Sequence, residues 1–317
     1  MNSILVPLDG SLLAERALPY AQMLAPLLGA KIRLFRALSG KEVERSFAEG
    51  TAALVGVDEP LASFAAREQQ AYAARRSHAE GYLNTLLSNT GLDVTTDVWG
   101  GSPAETIVEY ADSEQVTMIV MATHGYSGFK RWTLGSVADK VVRTAHCPVL
   151  LVRSTVEDAP DPRPLQRILV PLDGSEFAKA ALPLATQLAA QSHAELLLFQ
   201  AVPSLVALSI DGYVPPIELE MSQRDAAARE LDILAQNLSR QDVRVVALAR
   251  VGYAAEEIVD IAKQRQVDLI VMATHGYSGL KRWALGSTAD KVLHATQTPL
   301  LLVRPEQLRG WSQAALN

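Results

Sequence analysis

The stretch ATHGYSGFKRWTLGSVADK, Ala122–Lys140, gathers residue types suited to holding an anion. Gly125, Gly128 and Gly135 can adopt backbone conformations closed to other residues and let a ligand approach the main chain. Ser136 reads as the N-cap of a helix whose unpaired N–H groups and positive dipole end favour a phosphate. Lys130 and Arg131 add charge from the same loop, and Asp9, after the first apolar run, can accept hydrogen bonds from a ribose hydroxyl or an adenine amine. Each residue also has a plainer reading: Gly-Ser as a turn and cap, Ser136 with Asp139 as a capping box, the cations as solvated surface, Trp132 as packing and Asp9 as a helix cap. The plainer readings do not explain why the set occurs twice, as ATHGYSGLKRWALGSTADK at Ala273–Lys291.

The repeat extends well beyond this loop. ILVPLDGS at Ile4–Ser11 returns at Ile168–Ser175, and about two-thirds of the positions from Met118 to Arg153 match those from Leu269 to Arg304. The chain therefore divides into homologous halves, 1–154 and 167–305, with a proline- and acid-rich linker at 155–166 and a tail at 306–317.

In the first half SILVPL, KIRLFRAL, DVTTDVW, TMIVMA and PVLLV read as strands, being short, β-branched or Leu-rich, and bounded by Gly, Pro or Asp. Helical spacing occupies the segment after Ser11, the stretch from Ser63 to Asn89, and the segments after Ser102 and Ser136. Strands alternating with helices require crossover connections, so the expected fold class is α/β: two doubly wound, five-stranded, parallel-sheet (Rossmann-like) domains in tandem. In such sheets ligands bind at the carboxyl ends of strands beside the topological switch, here the loops after strands one and four. Those are the loops the chain repeats most faithfully.

With 317 residues, about half of them apolar, the chain can bury a sizeable core. A net charge of −6, spread along the sequence, provides no basic stripe for nucleic acid. Cys147 is the single cysteine, which excludes an internal disulfide and fits a reducing compartment. No apolar run approaches the roughly 20 residues that span a bilayer, so a cytoplasmic protein without membrane contact is expected. His124, Asp9 and Ser136 suggest a Ser-His-Asp hydrolase only weakly, since no G-x-S-x-G elbow is present. Walker and dinucleotide motifs are absent, and the histidines lack metal-ligand spacing.

Taken together, ILVPLDGS, GGSPAETI, IVMATHG, the Gly-Ser loop and the terminal PVLLVR strand resemble the universal stress protein family in its tandem form, over nearly the whole of both halves. That resemblance implies an adenine-nucleotide-binding fold, a phosphate pattern G-x2-G-x9-G-(S/T), and association through the last strands. Gly125, Gly135 and Ser136 fit the pattern, as do Gly276, Gly286 and Ser287, while Ala122 and Ala273 replace its first glycine. By the same resemblance Pro7, Asp9, Ala37, Met121 and Val137, with Pro171, Asp173, Ala201, Met272 and Thr288, stand at ligand-contacting positions.

The implied ligand is ATP, ADP or AMP, with or without magnesium. Expected partners are the two halves themselves, paired within the chain, and a second copy in a homodimer. The expected function is a stress-response or signalling protein whose domain arrangement is linked to nucleotide occupancy. The alternative is an interaction or chaperone-like scaffold working through the last strands. No base or metal ligand beyond Asp9 and Asp173 can be assigned, so ATP hydrolysis is expected to be slow at most. The dissimilar segments Ser39–Ala62 and Pro203–Ser222 are expected to cover their crevices differently, whereas the near-identical loops predict comparable binding in both halves.

Overall fold

The computed structural model describes residues 2–39, 61–88, 90–124, 134–154, 163–204, 216–240, 242–274 and 285–304. The first half runs β1 (Asn2–Pro7), α1 (Leu12–Glu15), α2 (Leu18–Leu28), β2 (Ala30–Leu38), α3 (Leu61–Thr85), β3 (Val94–Gly100), α4 (Pro103–Ser113), β4 (Met118–His124), α5 (Ser136–Thr144) and β5 (Val149–Ser154). The second repeats it as β6 (Arg167–Leu172), α6 (Glu176–Lys179), α7 (Leu182–Ser192), β7 (Glu195–Val202), α8 (Ile217–Ser239), β8 (Val245–Val251), α9 (Ala254–Gln264), β9 (Leu269–Ala273), α10 (Ser287–Ala295) and β10 (Leu300–Val303). The fold class is the expected one.

The segment after Ser11 is not one helix. A short α1 stops at Glu15, and α2 begins afresh with Pro19 in its first turn, because a proline ring suits a helix start but would clash with the preceding turn in the interior. Pro183 divides α6 from α7 in the same way.

The ten strands among the described residues form one sheet in the order β3-β2-β1-β4-β5-β10-β9-β6-β7-β8. Each half is parallel throughout, and the halves join antiparallel where Leu300, Leu301 and Leu302 pair with Leu151, Leu150 and Val149. The two last strands thus pair with each other inside one chain. The palindromic order describes an approximate two-fold axis between β5 and β10.

Side chains alternate across this seam with the two-residue period of a strand. Leu150, Val152, Leu301 and Val303 enter the core beneath α1, α2, α3, α6, α7 and α8, while Val149, Leu151, Leu300 and Leu302 enter the core beneath α4, α5, α9 and α10. Both cores are continuous from half to half, and α2 meets α7 over the seam. Leu150 and Leu301 are wholly buried, so each contributes on the order of 1.5–3 kcal/mol of transfer free energy. Leu165, from the end of the linker, is buried in the same core and anchors the chain as it enters β6. Residues 155–162 and the tail lie outside the described residues.

Candidate functional site

The strand ladder opens where β1 and β4 diverge. They pair only through Ile4 with Met118 and Leu5 with Ile119, although β1 continues to Pro7 and β4 to His124. A proline has no N–H to extend a ladder, so the carboxyl ends of the two strands part and a crevice forms between them. Pro171 occupies the same place in β6, where pairing with β9 likewise ends at Leu169 with Ile270.

The turn after β1 is built by Asp9, Gly10 and Ser11. Asp9 Oδ1 accepts from the Ser11 N–H at 2.9 Å, and Ser11 Oγ accepts from the Ala14 N–H at 3.1 Å to cap α1. Ser11, not Asp9, is therefore the helix cap, while Asp9 fixes the turn ahead of it. Gly10 has φ +86°, a left-handed conformation that explains the glycine. Asp173, Gly174 at φ +80° and Ser175 repeat this arrangement, with Ser175 donating to Asp173 Oδ1 from its N–H at 3.0 Å and its hydroxyl at 2.5 Å.

On the opposite wall, α5 begins at Ser136. Gly135 is its N-cap, and no side chain among the described residues caps the first turn. Asp139 does not close a capping box, because its Oδ1 receives Arg143 Nε at 2.8 Å. Nor is Gly135 conformationally special: φ −58° and ψ 145° are open to any residue, so glycine there supplies space. Gly286 is the N-cap of α10 with φ −60° and ψ 147°, also without a capping side chain. In both helices the sequence places the cap one residue late, at Ser136 and Ser287. The consequence is a first turn whose N–H groups lack a side-chain acceptor among the described residues.

The first crevice, of about 370 Å³, is lined by Pro7, Asp9, Ala37, Met121, Ala122, Gly135, Ser136 and Val137, together with Leu8, Ala14, Ser39, Pro103, Ile107 and Ala138. The second, of about 270 Å³, is lined by Pro171, Asp173, Ala201, Met272, Ala273, Gly286, Ser287 and Thr288, with Leu172, Ala178, Phe199, Ala254, Ile258, Thr274 and Ala289. Gly125, Gly128, Lys130, Arg131, Trp132, His275 and Gly276 lie outside the described residues. So do most of the two dissimilar segments after β2 and β7, although Ser39 reaches the first crevice.

The added lining residues come mostly from the first two turns of α1, α4, α5, α6, α9 and α10, which pack above the strand ends. The motifs GGSPAETI and ILVPLDGS pointed to Pro103 and Leu8, whereas nothing in the local sequence marked Ala14. Ala122 and Ala273 are buried strand residues, and neither has positive φ. The loss of the family's first glycine therefore adds one methyl to the crevice wall and asks nothing unusual of the backbone.

Comparison with known proteins bears directly on this repeated architecture. A family description, the universal stress protein family, matches residues 1–153 and again 164–304. The chain belongs to the universal stress protein family. A universal stress protein of Mycolicibacterium smegmatis is 28% identical over 310 residues, covering 95% of this chain and 97% of its own. One from Mycobacterium bovis is 29% identical over 214 residues, covering 67% of this chain and 70% of its own. A universal stress protein crystal structure from Archaeoglobus fulgidus superposes with a TM-score of 0.68 at 17% identity, covering 96% and 98% of the two chains, which is a likeness of fold.

In this universal stress protein, no helix among the described residues is long and apolar enough to cross a membrane. No group of three or more His, Cys, Asp or Glu side chains among them could hold a metal ion.

Proposed function

We propose that each crevice binds an adenine nucleotide, ATP or its shorter forms, and that occupancy is linked to the arrangement of the two halves in a stress-response role. The observation that carries this is the convergence in each half of an apolar slot, an aspartate and an uncapped helix N-terminus on one crevice. Ala37, Met121 and Ile107 offer apolar surface to a base, Asp9 offers a carboxylate to ribose hydroxyls, and the first turn of α5 offers N–H groups to phosphate. Ala201, Met272, Ile258, Asp173 and α10 offer the same in the second half. Any magnesium would arrive on the phosphates, which commonly supply much of its coordination.

The scaffold alternative is less well supported, because β5 and β10 already consume each other's edge. A second copy would have to dock elsewhere, with β3 and β8 as the outer strands of the sheet.

Mass spectrometry of the denatured purified protein should release ATP, ADP or AMP, and calorimetry of nucleotide-free protein should show ATP binding. Gly135→Val with Gly286→Val places branched side chains at the phosphate end without demanding a forbidden φ. This double variant should lose binding while its thermal unfolding midpoint stays within a few degrees of wild type. No bound nucleotide, no heat with ATP and no thermal shift would together refute the proposal.

A further inference from the structure

Although their loops are nearly identical, the two crevices differ at both ends. Ala37 pairs in register with Trp99 on β3, while its counterpart Ala201 pairs with Arg250 on β8. In-register neighbours share a sheet face about 5 Å apart, so each of these residues stands beside the alanine lining its crevice. Trp99 is 36% exposed and belongs to an aromatic trio, with ring centroids 5.1 Å from Tyr110 and 6.2 Å from Phe35. Arg250 instead joins an ionic group, donating to Gln264 Oε1 at 3.0 Å and lying 3.6 Å from Glu257 Oε2. The flank of the base slot is aromatic in the first half and ion-paired in the second.

At the phosphate end the asymmetry is reversed. Lys140 on α5 is tied down, because its ammonium pairs with Glu105 and that carboxylate also accepts from Ser102 Oγ. In the second half Tyr253 stands in place of Ser102 and has no short hydroxyl to hold Glu256 towards Lys291. Lys291 has no hydrogen-bond or ion-pair partner among the described residues. It lines a groove with Tyr253, Glu256, Ser287 and Thr288 that adjoins the second crevice through the first turn of α10. Four residues beyond Ser287, it lies one helical turn along the same face.

We propose that the crevices divide recognition of one ligand class: the first holds its nucleotide chiefly by the base, through Trp99, and the second chiefly by the phosphate chain, through Lys291. This rests on the nucleotide reading above and departs from the equivalence that the matching loops suggest. A flat aromatic edge discriminates bases and is indifferent to phosphate number. An untied ammonium beside a helix N-terminus gains with each added phosphate charge. ATP should therefore exceed AMP in affinity by a wider margin at the second site.

The test is calorimetry of the full chain with ATP and AMP, run alongside tryptophan fluorescence, on wild type, Trp99→Leu, Trp99→Phe and Lys291→Gln. Trp99→Leu should weaken the first site for both nucleotides by about threefold to tenfold, with Trp99→Phe recovering much of the loss. Of the four tryptophans, the part of the emission change that Trp99→Leu removes should saturate with the first site. Lys291→Gln should weaken ATP at the second site by about threefold and leave AMP nearly unchanged. Thermal unfolding of each variant separates a binding loss from a folding loss. Two sites with equal ATP-to-AMP ratios, or variants that weaken both sites alike or neither, would overturn the inference and leave nucleotide binding standing. A wild-type protein that binds neither nucleotide would overturn both.

Discussion

Two arginines cross the seam between the halves, and removing them tests how firmly the crevices are coupled to domain pairing. Arg153, at the end of β5, donates from Nη2 to the His294 carbonyl at 3.2 Å, in the last turn of α10. Arg304, just after β10, donates from Nη2 to the Val142 carbonyl at 2.9 Å, in the last turn of α5. Each cation thus satisfies a terminal carbonyl and faces the negative end of the other half's helix dipole. A hydrogen bond from a charged donor contributes about 1.5–3 kcal/mol and a cation at a helix end about 0.3–1 kcal/mol, with solvent screening reducing both.

Arg304→Ala should therefore cost about 1–2 kcal/mol, and Arg153→Ala less, because burial lowers the Arg153 guanidinium to about 9 and so works against its charge in the folded state. The two contacts share no partner, so the double variant should lose about 1–3 kcal/mol. Lysine at either position keeps the charge without the planar fork and should fall between. Denaturant unfolding of the full chain measures the loss. Because α5 and α10 carry a crevice at one end and the seam at the other, the double variant should also bind ATP about twofold to fivefold more weakly, an effect limited to the coupling free energy between the two ends. Stabilities within about 0.5 kcal/mol of wild type, as for an ordinary surface contact, would refute the clasp. Lost stability with unchanged ATP affinity would refute the coupling alone.

Ala122→Gly should lower stability by about 1–2 kcal/mol, since it removes a buried methyl and adds backbone freedom within β4, yet change ATP affinity less than about twofold. A tenfold gain in affinity would mean that the methyl obstructs the ligand. Burial pushes the Cys147 thiol up to about 12, and a neighbouring Asp112 charge acts in the same direction. The native thiol should resist alkylation at pH 8 and react on unfolding. Because the folded state favours the protonated thiol, stability from this group is intact below the unfolded pKa near 9 and declines as pH rises towards 12, which denaturant melts at stepped pH would show.

Much of this architecture was legible because the chain states it twice. Alternation of short apolar runs with helical spacing gave the ten strands, and the position of the switch beside β1 placed the crevice. What escaped the sequence was local geometry. Ser136 and Ser287 carry the residue type of a helix cap, but the helices start at them and Gly135 and Gly286 do the capping. Residue type ranks cap candidates without resolving a one-residue shift. Pro19 and Pro183 end one helix and start another, which helical periodicity alone runs through. The crevice residues missed from the helices, Ala14, Ile107 and Ala138 among them, are small or apolar and become part of a site only when packing brings the start of a helix over a strand end.

The two halves also show which parts of the duplication are constrained by their own geometry. At the seam, β5 and β10 must present matching edges and matching core faces to each other, and both sequences keep a run of Val and Leu there. The first turns of α5 and α10 border the two crevices, and both halves keep Gly-Ser there. Nothing in strand pairing fixes the side chain at the outer flank, so Trp99 and Arg250 differ without disturbing the ladders they stand in. Pairing inside one chain removes the requirement that a symmetric homodimer imposes, namely that both sites carry the same residues. Two crevices joined by one sheet can then hold the same kind of ligand by different ends, and a change in the proportion of long to short phosphate chains would load them unequally. Such a chain would respond to the state of a nucleotide pool and not only to its size, which equal sites could not do.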